Sequence, residues 1–363
     1  MEGVVAMFDI NFYKDKKVFI TGHTGFKGSW LCKILSNAGA RVVGYALKPP
    51  TEPSLFDIAG IENDISSVIG DIRDRASLKK AFDEAQPEIV LHLAAQPIVR
   101  DSYKDPVYTY ETNVMGTVNI LECVRNSDCV RSFLNVTTDK VYLNREWPWG
   151  YRENDELDGY DPYSNSKSCS ELVTYSYRHS FFESDTSCAI STARSGNVIG
   201  GGDFAENRII PDCMRSILND TRILLRNPDS IRPYQHVLEC LNGYLLLAMK
   251  QYENKHAYEG SYNFGPDESS CITTYELTEI FSRKYESLSG QKLGIDIQGS
   301  TGKKLHEANL LKLDCSKAKS VLGWRSEWDI EQALEEVSGW LKVYASNGDI
   351  RSYMDEKIAS RHW

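Results

Sequence analysis

The sequence predicts an α/β protein: a doubly wound parallel sheet with a smaller mixed α/β lobe attached. Three observations carry that expectation. Short apolar runs alternate with amphipathic stretches from Lys17 to Arg194, an order that yields a parallel sheet covered by helices on both faces. A glycine-rich segment joins the first apolar run to the first amphipathic stretch. The length of 363 residues also exceeds what one hydrophobic core commonly serves, so a second lobe is expected.

The elements follow in order. Residues 18–20 read as a strand, 30–37 as a helix, 42–43 as a strand, 77–85 as a helix and 89–91 as a strand. The rhythm continues with a helix near 114–126, a strand near 133–137, a helix over 163–182 and a strand near 189–194. It ends in Gly200-Gly201-Gly202, after which come helices, short strands and an aromatic tail containing Trp324, Trp328 and Trp340. The expected division is a sheet domain over 1–195 and a ligand-binding lobe over 196–363, some segments of which return to the sheet.

Composition excludes several classes of function. Hydrophobic residues make up 41% and charged residues 25% of the chain, ordinary values for a globular protein. A formal charge of −10 argues against a nucleic-acid partner, whose affinity would rest on clustered Lys and Arg. One segment runs against that acidity: from Arg194 to Arg232 six arginines face five carboxylates with no lysine, which suits bidentate contact with a small phosphorylated ligand. The nine cysteines lack the spacing of a metal site, so reduced thiols and no metal are expected. Residues 1–17 do not read as a leader, and no run approaches the roughly 20 apolar residues of a membrane span. The expectation is a soluble, cytoplasmic protein without a membrane partner.

Gly22-His23-Thr24-Gly25-Phe26-Lys27-Gly28 follows the first strand and opens the first helix. Glycines in that place let the backbone approach a pyrophosphate at a helix N-terminus. Two later strand ends add to this: Asp71 and Ile72, suited to an adenine edge, and Leu93-Ala94-Ala95, small residues beside a cofactor. Together they predict a Rossmann-type dinucleotide site. Lys48 stands near the end of the second strand, where an acidic residue would mark NAD over NADP.

The pattern Tyr-x-x-x-Lys occurs at Tyr13/Lys17, Tyr163/Lys167 and Tyr353/Lys357. It places both side chains on one helical face, where an ammonium stabilises a phenolate. Only Tyr163 follows a sheet strand and begins a long helix after Asp161-Pro162, so Tyr163 and Lys167 are the candidate pair. The other two read as solvated surface pairs. For Tyr163 to act as a base near neutral pH its pKa must fall from about 10 by roughly three units, on the order of 4 kcal/mol. Lys167, a cationic nicotinamide and a hydrogen bond from Thr138 are the expected sources. Asp139 and Lys140 stand beside this pair and add two further acid–base groups.

At these residues the sequence resembles the CDP-glucose 4,6-dehydratase family, from about Lys17 to Trp340. The matching blocks include Gly22 to Leu31, Thr138-Asp139-Lys140, Trp149-Gly150-Tyr151-Arg152-Glu153, Asp161-Pro162-Tyr163-Ser164, Gly196 to Asp203 and Ile231-Arg232-Pro233. The resemblance implies NAD as a catalyst that is oxidised again within each turnover. In that cycle C4 of a nucleotide-linked glucose is oxidised, water leaves across C5 and C6, and hydride returns to C6. It further implies that Thr138, Tyr163 and Lys167 serve oxidation and that Asp139 and Lys140 serve elimination. The resemblance leaves two readings of Lys140 open: a neutral amine that takes the C5 proton, which is the one favoured here, or a cation that stabilises the enolate while another group is the base. Asn197, Arg208, Arg232 and His306 are implied to hold the nucleotide diphosphate, and the assembly is implied to be a homodimer or homotetramer. The competing expectations are an epimerase, a dehydratase of another nucleotide sugar, or a non-catalytic protein that binds NAD or a nucleotide sugar.

Overall fold

Alternate residues of the apolar runs enter opposite cores, as the period of a strand requires. Val18 and Ile20 join one cluster and Phe19 the other; Ile89 and Leu91 join the first and Val90 the second. The computed structural model describes residues 8–183, 188–297 and 310–363. Seven strands form the central sheet: β1 (Lys17–Thr21), β2 (Arg41–Ala46), β3 (Ser66–Ile69), β4 (Ile89–His92), β5 (Ser132–Val136), β6 (Ala189–Ser195) and β7 (Ser261–Phe264). Their order is β7-β6-β5-β4-β1-β2-β3, and every pairing is parallel. This is the doubly wound fold predicted above.

The helices divide between the two faces. On one side α1 (Phe26–Asn37) packs through Trp30, Leu31, Ile34 and Leu35 with a long helix late in the chain (Val237–Glu253). On the other, α2 (Arg75–Ala85) contributes Leu78 and Phe82, and α3 (Gly116–Arg125) contributes Ile120, Leu121 and Val124. Beyond them lies α4 (Pro162–Tyr177), with Asp161 as N-cap accepting from the backbone of Ser164 and Pro162 in its first turn. Both are standard start signals. The late helix is labelled α6 below, after α5 (Ile209–Leu218).

The strand order reverses where β1 lies between β4 and β2. Ligands of such sheets bind in the crevice at the strands' carboxyl ends beside this reversal. Residues after β6 build three two-stranded ribbons and the helices α5, α6 and Thr274–Ser289. The chain returns once to the sheet, as β7 against β6. Near its end Arg361 donates to the fully buried Glu239 at 2.7 Å.

Candidate active site

The loop from β1 to α1 is shaped by close backbone approach. Gly22 has φ +79°, and a Cβ there would lie 2.7 Å from Ala94 N and 2.9 Å from Leu93 C. A Cβ on Gly28 would lie 2.2 Å from Gly22 O. Thus the predicted glycines meet the predicted Leu93-Ala94-Ala95 turn directly, and the backbone N–H groups of Leu93 and Ala94 both donate to Thr21 Oγ1. Gly25 is the N-cap of α1 and gives it no side-chain cap; a Cβ on Gly25 would meet protein only at Gly22 O, 3.4 Å away. The first N–H groups of α1 are thus left without a side-chain cap, the arrangement in which helix N-termini accept anions. Phe26 packs beside Gly200 and Val237. Asp71 accepts three hydrogen bonds from the Arg73 guanidinium at 2.8–3.2 Å, while Ile72 is buried.

The candidate Tyr163–Lys167 pair lies at the start of α4. Tyr163 donates its backbone N–H to Ser102 Oγ at 3.1 Å. Lys167, one turn on and buried, donates to Val136 O at the end of β5, 3.1 Å away. Burial pushes the Tyr163 hydroxyl up to about 12, against the lowering by Thr138 and Arg208. Burial and the neighbouring Lys27 bring Lys167 down to about 8, with Glu171 opposing. The protein's own groups thus leave Tyr163 on the opposite side of its ordinary value from where sequence reasoning needs it. Desolvation of a phenolate outweighs one hydroxyl and one guanidinium.

Asp139 follows β5 and has no exposed surface. Its Oδ1 accepts from Thr138 Oγ1 at 2.9 Å and from Lys140 Nζ at 3.3 Å. Oδ2 is buried with no hydrogen-bond partner among the described residues. Lys140 also donates to Asn197 Oδ1 at 3.4 Å. Gly196 must lack a side chain, since a Cβ there would lie 2.9 Å from both Asp139 Oδ2 and Pro233 Cγ. Thr138, Asp139, Lys140, Tyr163, Lys167 and Asn197 are therefore gathered at one sheet end.

The expected phosphate ligands are less uniform. Arg208 donates to the buried Asp203 at 2.9 Å and acts electrostatically on Tyr163. Arg232 donates to Ile231 O at 2.8 Å. His306 lies outside the described residues. Arg226, from the arginine-rich segment, and Arg100 both donate to Asn207 Oδ1 at 3.2 Å.

The other Tyr-x-x-x-Lys pairs require correction. Tyr13 is fully buried and donates to Leu245 O at 2.7 Å, because its 3-10 turn packs beneath α6. Tyr353 and Lys357 both bind Glu336, so neither is simply solvated.

Sequence reasoning also missed the support behind the site. Glu171, one turn after Lys167 on α4, accepts from Thr137 Oγ1 at 2.5 Å, Thr192 Oγ1 at 2.7 Å and two Arg194 nitrogens at 2.9 Å. Arg194 also reaches Tyr142 Oη at 2.7 Å and Glu153 O at 3.0 Å. Glu171 and Arg194 are each 2% exposed. The available signal was the i, i+4 spacing from Lys167 on a helix otherwise lined by Ser164, Ser166, Ser168 and Ser170.

Comparison with known proteins gives a family match, a curated relative and two similar solved structures. The profile of the GDP-mannose 4,6-dehydratase family matches residues 19–337. The CDP-glucose 4,6-dehydratase of Salmonella typhimurium is 47% identical over 348 residues, 95% of each chain. Among solved structures, an epimerase from Methanothermobacter thermautotrophicus superposes with TM-score 0.78 at 22% identity, covering 97% of this chain and 99% of that one. The dTDP-glucose 4,6-dehydratase of Bacillus anthracis in complex with NAD gives TM-score 0.72 at 20% identity, covering 92% and 98%.

Proposed function

We infer that this chain, which belongs to the GDP-mannose 4,6-dehydratase family of extended short-chain dehydrogenases, dehydrates CDP-D-glucose to CDP-4-keto-6-deoxy-D-glucose. The observation that carries the reading is the 47% identity, over nearly the whole chain, to a CDP-glucose 4,6-dehydratase. The gathering of Asp139 and Lys140 beside Tyr163 and Lys167 supports it, because an epimerase has no need of a second acid–base pair.

Gly22, Gly25, Phe26, Lys27, Gly28, Asp71, Ile72 and Leu93-Ala94-Ala95 would hold NAD with its diphosphate over the N-terminus of α1, where the cofactor would supply a hydride acceptor for C4 and a hydride donor for C6. Tyr163 takes the C4 hydroxyl proton, with Thr138 and Lys167 holding the phenolate. The cationic nicotinamide adds the lowering that the protein's own groups do not supply to Tyr163. Lys140 Nζ then takes the C5 proton, and that electron pair forms the C5–C6 double bond. The C6–O bond breaks as Asp139 Oδ2, the carboxyl oxygen without a protein partner, gives its proton to the departing hydroxyl. Asn197, Arg208, Arg232 and His306 are assigned to the nucleotide diphosphate.

We assign residues 1–195 mainly to the cofactor and 196–363 mainly to the nucleotide sugar. A homodimer or homotetramer is the assembly we expect: Val107, Met115, Leu172 and Tyr175 are each more than half exposed on elements that lie together. Among the described residues no helix is long and apolar enough to cross a membrane, and every cysteine there is free; we assign the protein to the cytoplasm.

The test is incubation of the purified protein with CDP-glucose, dTDP-glucose, UDP-glucose or GDP-mannose, with and without added NAD, followed by mass spectrometry. Loss of one water from CDP-glucose alone is expected. Turnover of another sugar would overturn the cytidine assignment, and loss of water from none would overturn the dehydratase reading.

A further inference from the structure

Lys27 sits where a cation is disfavoured. It lies in the first turn of α1, at the positive end of the helix dipole. Its Nζ turns inward, 3.1 Å from Ser195 Oγ and 3.5 Å from Tyr244 Oη. Both partners are neutral hydroxyls, and Lys27 forms no ion pair among the described residues. A desolvated ammonium without a carboxylate is costly, so packing alone does not account for lysine here.

Its place relative to the elimination groups is specific. Lys27 meets Ser195 and Lys140 meets Asn197. Between these two residues lies Gly196, whose missing Cβ makes room for Asp139 Oδ2. Ser195 and Val136, the partners of Lys27 and Lys167, stand at the adjoining ends of the paired strands β6 and β5.

We propose that Lys27 is a positioning residue of the dehydratase site, a buried lysine that acts on Lys167 across the adjoining ends of β6 and β5. The proposal rests on the dehydratase reading for its catalytic consequence. Its electrostatic content stands separately. The charged and titratable groups facing Lys27 are Cys240 and Tyr244 from α6, Arg208 from the turn before α5, Asp139 and Lys140 after β5, and Lys167 from α4. Those facing Lys167 are Lys27, Glu171 and the buried, neutral His92. Burial lowers the Lys27 ammonium, and Lys27 in turn lowers Lys167.

The sign of the test follows. A cation that lowers Lys167 makes it lose its proton at lower pH; removing the cation moves that loss to higher pH. In the holoenzyme, Lys27→Met is expected to raise the pH at which the alkaline limb of kcat falls by about one unit, a difference of about tenfold in kcat on that limb. Bound NAD, measured after release from denatured protein, stays at wild-type stoichiometry, because Lys27 serves the cofactor through its backbone in the first turn of α1 while its Nζ turns to Ser195 and Tyr244. Lys27→Arg keeps the charge and restores the limb. Should wild-type protein dehydrate none of the four nucleotide sugars, the dehydratase reading falls. The electrostatic claim is then read from the titration of Lys167 by NMR of isotope-labelled lysine, assigned by Lys167→Arg. An unshifted Lys167 titration in Lys27→Met overturns the proposal, as does loss of NAD and stability that Lys27→Arg does not rescue.

Discussion

Replacing Arg194 by Met removes one partner of a buried ion pair and leaves the other in place. Glu171 then keeps the Thr137 and Thr192 hydroxyls but loses both guanidinium contacts at 2.9 Å. A buried charge stripped of its partner costs about 3–5 kcal/mol. In the native protein burial acts to raise the Glu171 carboxyl, but Arg194 and the two threonines outweigh it and hold it below its ordinary value. That depressed group contributes stability above its unfolded value of about 4.3, and the contribution is lost as pH falls through the folded value. In the variant burial prevails and the folded value rises, so the penalty is full at high pH and shrinks as pH falls through the raised value. Urea unfolding is therefore expected to show a deficit of about 3 kcal/mol or more near pH 7 and a clearly smaller one near pH 5. Glu171→Met combined with Arg194→Met recovers most of the stability, since an apolar pair of similar volume often matches a buried ion pair. It does not recover turnover, because Thr137, next to Thr138, loses the tie to α4 that Glu171 supplied. A deficit below about 1 kcal/mol at neutral pH, or normal turnover in the double variant, would refute this reasoning.

Three further outcomes follow from the same geometry. Gly196→Ala pushes a methyl group to within 2.9 Å of Asp139 Oδ2; C4 oxidation, seen as reduced-nicotinamide absorbance, should persist while water loss falls by at least about tenfold, and equal effects on both steps would contradict the assignment. Asp139→Asn should reduce the nicotinamide without water loss, whereas Tyr163→Phe should prevent even that, each lowering turnover by about 10²- to 10⁴-fold; near-normal elimination by Lys140→Glu would remove any special role for the amine. Leu172→Glu introduces charge on an exposed apolar helix face and should lower the mass found by sedimentation, with an unchanged mass excluding that face from the subunit contact.

The sheet was legible where strands are buried on both sides. Residues of β1, β4, β5 and β6 form apolar runs because helices cover both faces. β3 escaped because Ser66-Ser67 lies at the open edge of the sheet, only partly buried. The placing of β7 against β6 could not be read, since its partner lies some seventy residues earlier and no local pattern records that pairing. The site was legible to the extent that chemistry travels in contiguous motifs: Gly22 to Gly28, Thr138 to Lys140 and Tyr163 to Lys167. Glu171 was not, because its importance comes from Thr137, Thr192 and Arg194 arriving from two strands. Tyr13 was misread for the same reason: a polar tip satisfied by Leu245 O deep in the fold is indistinguishable, in sequence, from one satisfied by water.

The central claim is a cycle in which one hydrogen moves from C4 to C6 of the same sugar. The direct measurement is turnover of CDP-glucose carrying deuterium at C4, with the product examined by mass spectrometry and NMR. The account predicts a product lighter by one water, with the deuterium at C6 and no net change in the cofactor. Deuterium retained at C4, or a product of unchanged mass with inverted C4, would contradict it.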